Sequence, residues 1–277
     1  MSYQQYRPQS FNILPVVIKN LLIINVLLYL AETVFEQQLG FSFNQRFGLY
    51  YPESERFNPL QFITHMFLHG SWMHLFFNML ALWMLGGVLE NYWGPKRFIL
   101  FYFTTGIGAA LVHTLFSWYE ISQLWDTIHL YSSAPNPVDF ETLFLRGYLN
   151  SYNSSQVEAF ISAWKLMPAN QDMAGQSVML VEQLAENKMN IPTVGASGAV
   201  FGVLLAFGML FPNQIIFLVF FPIKAKYFVI LYGAWELALG IINSQDDPVA
   251  HFAHLGGMLF GFILIKYWNK KNREHFY

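Results

Sequence analysis

A serine flanked by glycines, in Gly195-Ala196-Ser197-Gly198, and a histidine that ends the run Ala250-His251-Phe252-Ala253-His254 both lie in stretches that are otherwise apolar. A serine hydroxyl is a weak nucleophile until a neighbouring base accepts its proton, and neutral imidazole is suited to that task near pH 7. Nucleophilic and ionisable side chains are costly among lipid-facing helices and mark function where they occur. Ser197 and His254 are therefore the candidate nucleophile and base. Hydrolysis of an acyl group also needs hydrogen-bond donors aimed at the developing oxyanion. His74 and Asn78, spaced to share one face of a helix, supply two donors, and the backbone N–H of Ser197 at a helix start supplies a third. Gly195 and Gly198 let another backbone or a substrate strand approach the serine closely. Gly257 and Gly261 after His254, like Gly198 and Gly202 on the serine segment, form small-residue faces through which two helices can pack tightly.

The elements that must position these residues read as membrane helices. Of 277 residues, 55% are hydrophobic and 12% charged, against roughly 25% charged in an ordinary soluble domain. Six stretches, 15–31, 74–92, 97–118, 195–211, 227–242 and 249–268, approach the roughly 17 to 25 apolar residues that span a bilayer as helix. Open strands cannot satisfy their backbone in lipid, so the expected fold is all-α. The domain plan is a segment 1–14, a membrane domain 15–268 and a basic tail 269–277. The net charge of -2, without a basic stripe, gives no hint of nucleic-acid binding, and none is expected. The lack of cysteine excludes disulfides, thiol catalysis and thiolate metal sites, and no cofactor is expected.

Six crossings put both termini on one side. Arg7, Lys19, Lys96, Arg97, Lys224, Lys226, Lys266, Lys270, Lys271 and Arg273 fall on that side, whereas Arg46, Arg56, Arg146, Lys165 and Lys188 are scattered through two longer loops. The positive-inside rule then makes the termini cytoplasmic, so that Ser197 and His254 each begin a helix descending from the outer face. The first fourteen residues read as neither a cleavable signal nor an Arg-rich transit helix, and the expected location is the cytoplasmic membrane of a bacterium. The first outward loop, 32–73, holds Pro52, Asn58 and Pro59, then Thr64-His65-Met66-Phe67-Leu68-His69. The second, 119–192, is longer than a connector needs to be. In it Val157, Phe160, Ile161 and Trp164 recur at helical spacing, and Glu182 to Lys188 continues a second helical pattern, which predicts a small helical cap or interfacial hairpin.

The remaining ionisable residues receive plainer readings. The histidines include no HExxH, and no carboxylate accompanies them at ligand spacing, so no metal is expected. His65 and His69 are expected to make loop hydrogen bonds, and His251 to lie near His254. Glu90, close in sequence to Lys96 and Arg97, reads as an ionic tie at the cytoplasmic face. Glu236, inside an apolar segment, is expected to face the outer part of the bundle or to line a gate.

Taken together, Gly195-Ala196-Ser197-Gly198, Ala253-His254 followed by Gly257 and Gly261, and His74 with Asn78 resemble the rhomboid family of intramembrane serine proteases. GxSG alone is widespread; its joint occurrence with the other two motifs, in this order, is specific. The resemblance implies a six-helix rhomboid core with a Ser-His dyad and no obligatory acid, acting on transmembrane protein substrates cleaved in or near the bilayer at a helix-breaking site. Ser197 would attack the carbonyl, His254 would act as base and then acid, and His74, Asn78 and the Ser197 amide would hold the oxyanion. Leu60-Gln61 stands where several members carry Trp-Arg, and Phe201 where many carry Tyr, its ring still able to pack beside His254. The alternatives are a noncatalytic rhomboid-like binder or chaperone of membrane proteins, which has no need of all four polar residues, and a channel or transporter, for which the chain lacks repeated halves.

Overall fold

The computed structural model describes residues 11–149, 152–218, 221–242 and 249–274. Helix α1 (Val16–Leu39) runs past residue 31 because nothing in the chain breaks it before Gly40, whose left-handed conformation (φ 61°) closes the helix. The loop that follows is correspondingly shorter than the expected 32–73. It carries α2 (Phe43–Phe47) and α3 (Gln61–Thr64), the latter continuing as a 3-10 turn over His65–Phe67. Buried Glu32, at the far end of α1, accepts hydrogen bonds from Ser42 Oγ and from the Phe43 and Asn44 amides, which fixes the start of α2. Gln61 pins the rest of the loop: its Oε1 accepts from the amides of Tyr50 and Asn58, and its Nε2 donates to the Arg56 carbonyl.

Helix α4 (Trp72–Ala81) starts at Ser71, whose hydroxyl accepts the His74 amide, and passes through a π-helical turn (Leu82–Gly86) into α5 (Gly87–Trp93). Ile18 of α1 packs against Gly86, where a β-carbon would come within 2.7 Å of its Cδ1. Glu90 is buried here, but its partners are not Lys96 and Arg97. Its two carboxylate oxygens accept the Val17 and Ile18 amides, each at 2.9 Å, so it caps α1. The first-turn amides of a helix have no intrahelical partner, and a carboxylate meets both that need and the helix dipole. Arg97 instead lies over the Trp268 ring, 4.1 Å from its centroid. Glu90→Ala strips two buried donors of their acceptor and is expected to cost about 2 kcal/mol, read as a lowered unfolding midpoint in detergent; Glu90→Gln, which keeps one acceptor, is expected to lose less.

The third apolar segment departs most from expectation. Helix α6 (Pro95–Ser133) has 39 residues, about 58 Å at 1.5 Å per residue, twice the thickness of a hydrocarbon core. Position 119 was expected to begin a loop, yet no proline interrupts the helix until Pro135, and the residue before a proline disfavours helical geometry. The distal part of α6 forms one wall of the insert, against which α7 (Pro137–Leu145), α8 (Ser154–Leu166) and α9 (Gln171–Met189) assemble. Each of these begins at an asparagine, Asn136, Asn153 or Asn170, whose side chain accepts first-turn amides. Val157, Ile161 and Trp164 point inward as their spacing predicts, joining Ile128, Phe140, Leu149 and Val181 in a core separate from that of the main bundle.

Helix α10 (Ser197–Leu210) follows, then a short antiparallel hairpin that the apolar pattern did not suggest, β1 (Ile215–Leu218) and β2 (Phe221–Lys224), with Ile215 opposite Lys224. Helices α11 (Ala225–Ile242) and α12 (His251–Glu274) complete the chain. Residues 269–274 continue α12 rather than forming a tail; residues 1–10 of the expected N-terminal segment and 275–277 lie outside the described residues. Among the described residues, four helices are long and apolar enough to cross a membrane: Val16–Leu39, Trp72–Trp93, Pro95–Ser133 and Ala225–Ile242. Exposed Ile23, Leu27 and Leu30 on α1, with Ile230, Leu231 and Trp235 on α11, present the outward apolar surface of an integral membrane protein. The two expected spans outside this set are those that carry Ser197 and His254. One has only 14 residues, and the other holds two histidines and Lys266 among its apolar residues.

Candidate active site

The segment before the serine is fastened to the first loop. Leu49 and Thr193 exchange backbone hydrogen bonds at 2.9 and 2.8 Å, the Gly195 amide donates to the His65 carbonyl at 2.9 Å, and His113 Nε2 meets Thr193 Oγ1 at 2.8 Å. His65 is held in turn through Nδ1 to the Gln61 carbonyl. Burial pushes its imidazole down to about 4, so it is neutral at pH 7. Gly195 has φ 136°, a conformation that side-chain-bearing residues rarely adopt, and a β-carbon there would sit 2.7 Å from His74 Cε1, 2.8 Å from His74 Nε2 and 3.5 Å from Ser197 Oγ. Only glycine lets the His74 ring rest against the backbone beside the serine. Ser197 itself is half-buried at the first position of α10, without a side-chain cap. Its amide is one of those left without a carbonyl partner inside the helix. His74 and this amide therefore border the hydroxyl. Asn78 is buried one turn along α4, with Nδ2 donating to the His74 carbonyl at 2.9 Å. One N–H is thus committed to the helix, and the second remains for another acceptor.

His254 is brought to the serine helix by glycine contacts. A β-carbon on Gly257 would lie 1.8 Å from the Gly198 carbonyl oxygen, and one on Gly261 would lie 3.4 Å from the Gly202 carbonyl oxygen, so α10 and α12 touch backbone to backbone along two rungs. The same contact sets the Ala253 carbonyl against Gly198, one residue from each candidate. Phe201 stacks on the His254 ring, with centroids 4.0 Å apart and planes 5° from parallel. His254 also lies within electrostatic reach of His74 and His113. Among the described residues no hydrogen bond joins Ser197 Oγ to the ring; such bonds commonly tighten only when substrate is bound.

The bond the imidazole does make is one that sequence reasoning missed. His254 Nδ1 lies 2.8 Å from Glu236 Oε2, and His251 Nδ1 lies 2.7 Å from the same oxygen. Glu236 is buried on α11 and faces the first turn of α12. A glutamate inside an apolar helix, with histidines at 251 and 254 on the next, was the available signal. These three residues are also the set that could hold a metal among the described residues, their ligand atoms lying within 4.8 Å of one another. A carboxylate does therefore accompany the histidines, contrary to the reading of the sequence. Ligands of tetrahedral zinc stand about 3.3 Å apart, farther than the 2.7 and 2.8 Å separations here, so the set is built as a hydrogen-bonded one. His69, expected to make loop hydrogen bonds, has no partner for either ring nitrogen among the described residues and packs edge-on to His74, centroids 5.1 Å apart.

A family model, the Rhomboid domain, matches residues 56–122 and 167–270. The chain belongs to the rhomboid family. The core of the insert, residues 123–166, falls between the two matched segments. Among similar proteins, rhomboid protease AarA of Providencia stuartii is 40% identical over 68 residues, 24% of this chain and 24% of that protein. The mitochondrial rhomboid protein 1 of Saccharomyces cerevisiae is 26% identical over 216 residues, 77% of this chain and 43% of that protein. Rhomboid protease GlpG of Salmonella choleraesuis is 34% identical over 62 residues, 22% of each. The matched stretches thus span less than half the length of these relatives.

Proposed function

We propose that this rhomboid is an intramembrane serine endopeptidase that cleaves transmembrane proteins. The observation that carries the proposal is the His74 ring packed on Gly195 beside the Ser197 hydroxyl, with the helix that bears His254 held against the serine helix across the Gly198–Gly257 contact. The serine proton passes to His254 Nε2 as Oγ bonds the scissile carbonyl carbon. The resulting oxyanion is met by the His74 ring, the free N–H of Asn78 and the Ser197 amide. Collapse breaks the C–N bond, and His254 returns the proton to the departing amine; attack by water on the acyl ester, with His254 again as base, releases the acid and restores the hydroxyl. A helical substrate hides its carbonyls in backbone hydrogen bonds, so the favoured site is one where the helix is already broken.

On this reading α10 and α12 are the remaining two of six crossings. Helix α12, with 24 residues, reaches about 36 Å. Helix α10 is short but enclosed by α6, α11 and α12, so it need not match the thickness of lipid. The lysines and arginines at 19, 96, 97, 224, 226, 266 and 270 support cytoplasmic termini and a site opening to the other side. A fluorophosphonate probe tests the chemistry without a known substrate. Purified wild type is expected to label and Ser197→Ala to stay unlabelled at an equal unfolding midpoint; absence of labelling in well-folded wild type would overturn the proposal.

A further inference from the structure

Two imidazoles share one carboxylate oxygen. Glu236 Oε2 is the partner of both His251 Nδ1 and His254 Nδ1, and all three side chains are buried. A carboxylate oxygen can only accept, so each histidine carries its proton on Nδ1 in this arrangement. For His254 that leaves Nε2 bare, and Nε2 is the atom that must take a proton from Ser197. Once the ring becomes an imidazolium, the carboxylate lies 2.8 Å from its positive charge, in surroundings where such an interaction is stronger than in water. Phe201 fixes the plane of the ring by stacking, but it cannot select a tautomer or bear charge.

We infer that Glu236 is a positioning residue for the reaction, which makes the Ser-His pair of this chain a Ser197–His254–Glu236 triad with the acid supplied by the neighbouring helix. This inference rests on the proposed serine protease activity. Glu236 acts through His254 and touches no reacting atom. His251, as second donor, holds the carboxylate in register by occupying the same oxygen. Among the described residues, the other titratable groups around this cluster are Tyr232 on α11, His74 on α4, and His113 and Glu120 on α6. Tyr232, His74 and His113 are not anions at neutral pH, and Glu120 acts on His113, so the carboxylate in contact with the His254 ring is that of Glu236.

The test compares wild type with Glu236→Gln on one transmembrane substrate in detergent. Glutamine keeps the shape and can present its oxygen to both histidines, but removes the charge. The expected result is a kcat lower by about 10²-fold, with KM within about twofold and the unfolding midpoint unchanged. Should this variant fail to fold, Glu236→Asp takes its place: the acceptor is kept but withdrawn by one methylene, so kcat falls at unchanged KM. A folded Glu236→Gln with wild-type kcat overturns the inference. So does a kcat that falls only in step with the unfolding midpoint, which is the signature of a merely structural role. Failure of the underlying protease reading is distinct, because it appears in wild type alone as absence of labelling and cleavage.

Discussion

His254→Ala is expected to lower cleavage of a transmembrane substrate by at least about 10⁴-fold, as loss of either member of a nucleophile–base pair does in serine hydrolases. The remaining rate would come from binding and from the donors around the oxyanion, which the substitution leaves in place. The size of the effect follows from the chemistry of the hydroxyl. Without His254, Ser197 must attack while still protonated, and Glu236 cannot take over, since it reaches His254 and His251 and not the serine. The fold is expected to tolerate the change. The ring contributes one stacking contact with Phe201 and one hydrogen bond to Glu236, and the carboxylate keeps His251, so the cost is held to about 1–3 kcal/mol. Cleavage assayed beside the unfolding midpoint separates the two effects. Substantial cleavage by folded His254→Ala would remove His254 from the mechanism, whereas a wild type that binds but never cleaves would favour the noncatalytic alternative.

What could be read in the sequence was what has a local signature. Ser197 between glycines, His74 four residues before Asn78, and the repeats Gly198/Gly202 and Gly257/Gly261 each specify a helical face or a close approach on their own. The faces of the insert were legible for the same reason: Val157, Ile161 and Trp164 lie on one stripe and are buried together. The illegible features depend on partners distant in the chain. Glu90 is near Lys96 and Arg97 in sequence, yet the chain folds so that the unpaired amides of α1, more than seventy residues earlier, claim the carboxylate first. Glu236 and its histidines are apolar-segment exceptions in sequence, but nothing in either segment says that α11 lies beside α12 with these faces together. The length of α6 escaped for a different reason: a change from apolar to mixed composition at residue 119 signals the edge of the apolar stretch, not the end of the helix. The β1–β2 hairpin lies in an apolar run too short to tell from the end of a membrane helix by periodicity.

Gly257→Ala is expected to lower kcat/KM by at least about 10²-fold although every chemical group of the site survives. Its new β-carbon would stand 1.8 Å from the Gly198 carbonyl oxygen, roughly 1.5 Å or more inside a comfortable contact. The obstacle is the backbone of Gly198 in the first turn of α10, so no side chain can swing away, and α10 and α12 must part or slide. Overpacking of this kind costs about 1–3 kcal/mol, while displacement of a base by about 1 Å is enough to lose two orders of magnitude in rate. Activity should therefore fall further than stability, and fluorophosphonate labelling should fall with it, because the probe senses the same separation of Ser197 from His254. Gly175→Ala is the control: it also lies within a helix, α9, but a β-carbon there meets nothing within 4 Å. That substitution should leave activity unchanged and raise the unfolding midpoint slightly, by the helix preference of alanine over glycine, up to about 1 kcal/mol. Wild-type labelling in Gly257→Ala would mean that the two helices can separate without moving the serine from its base, and the crossing would then be a feature of stability alone.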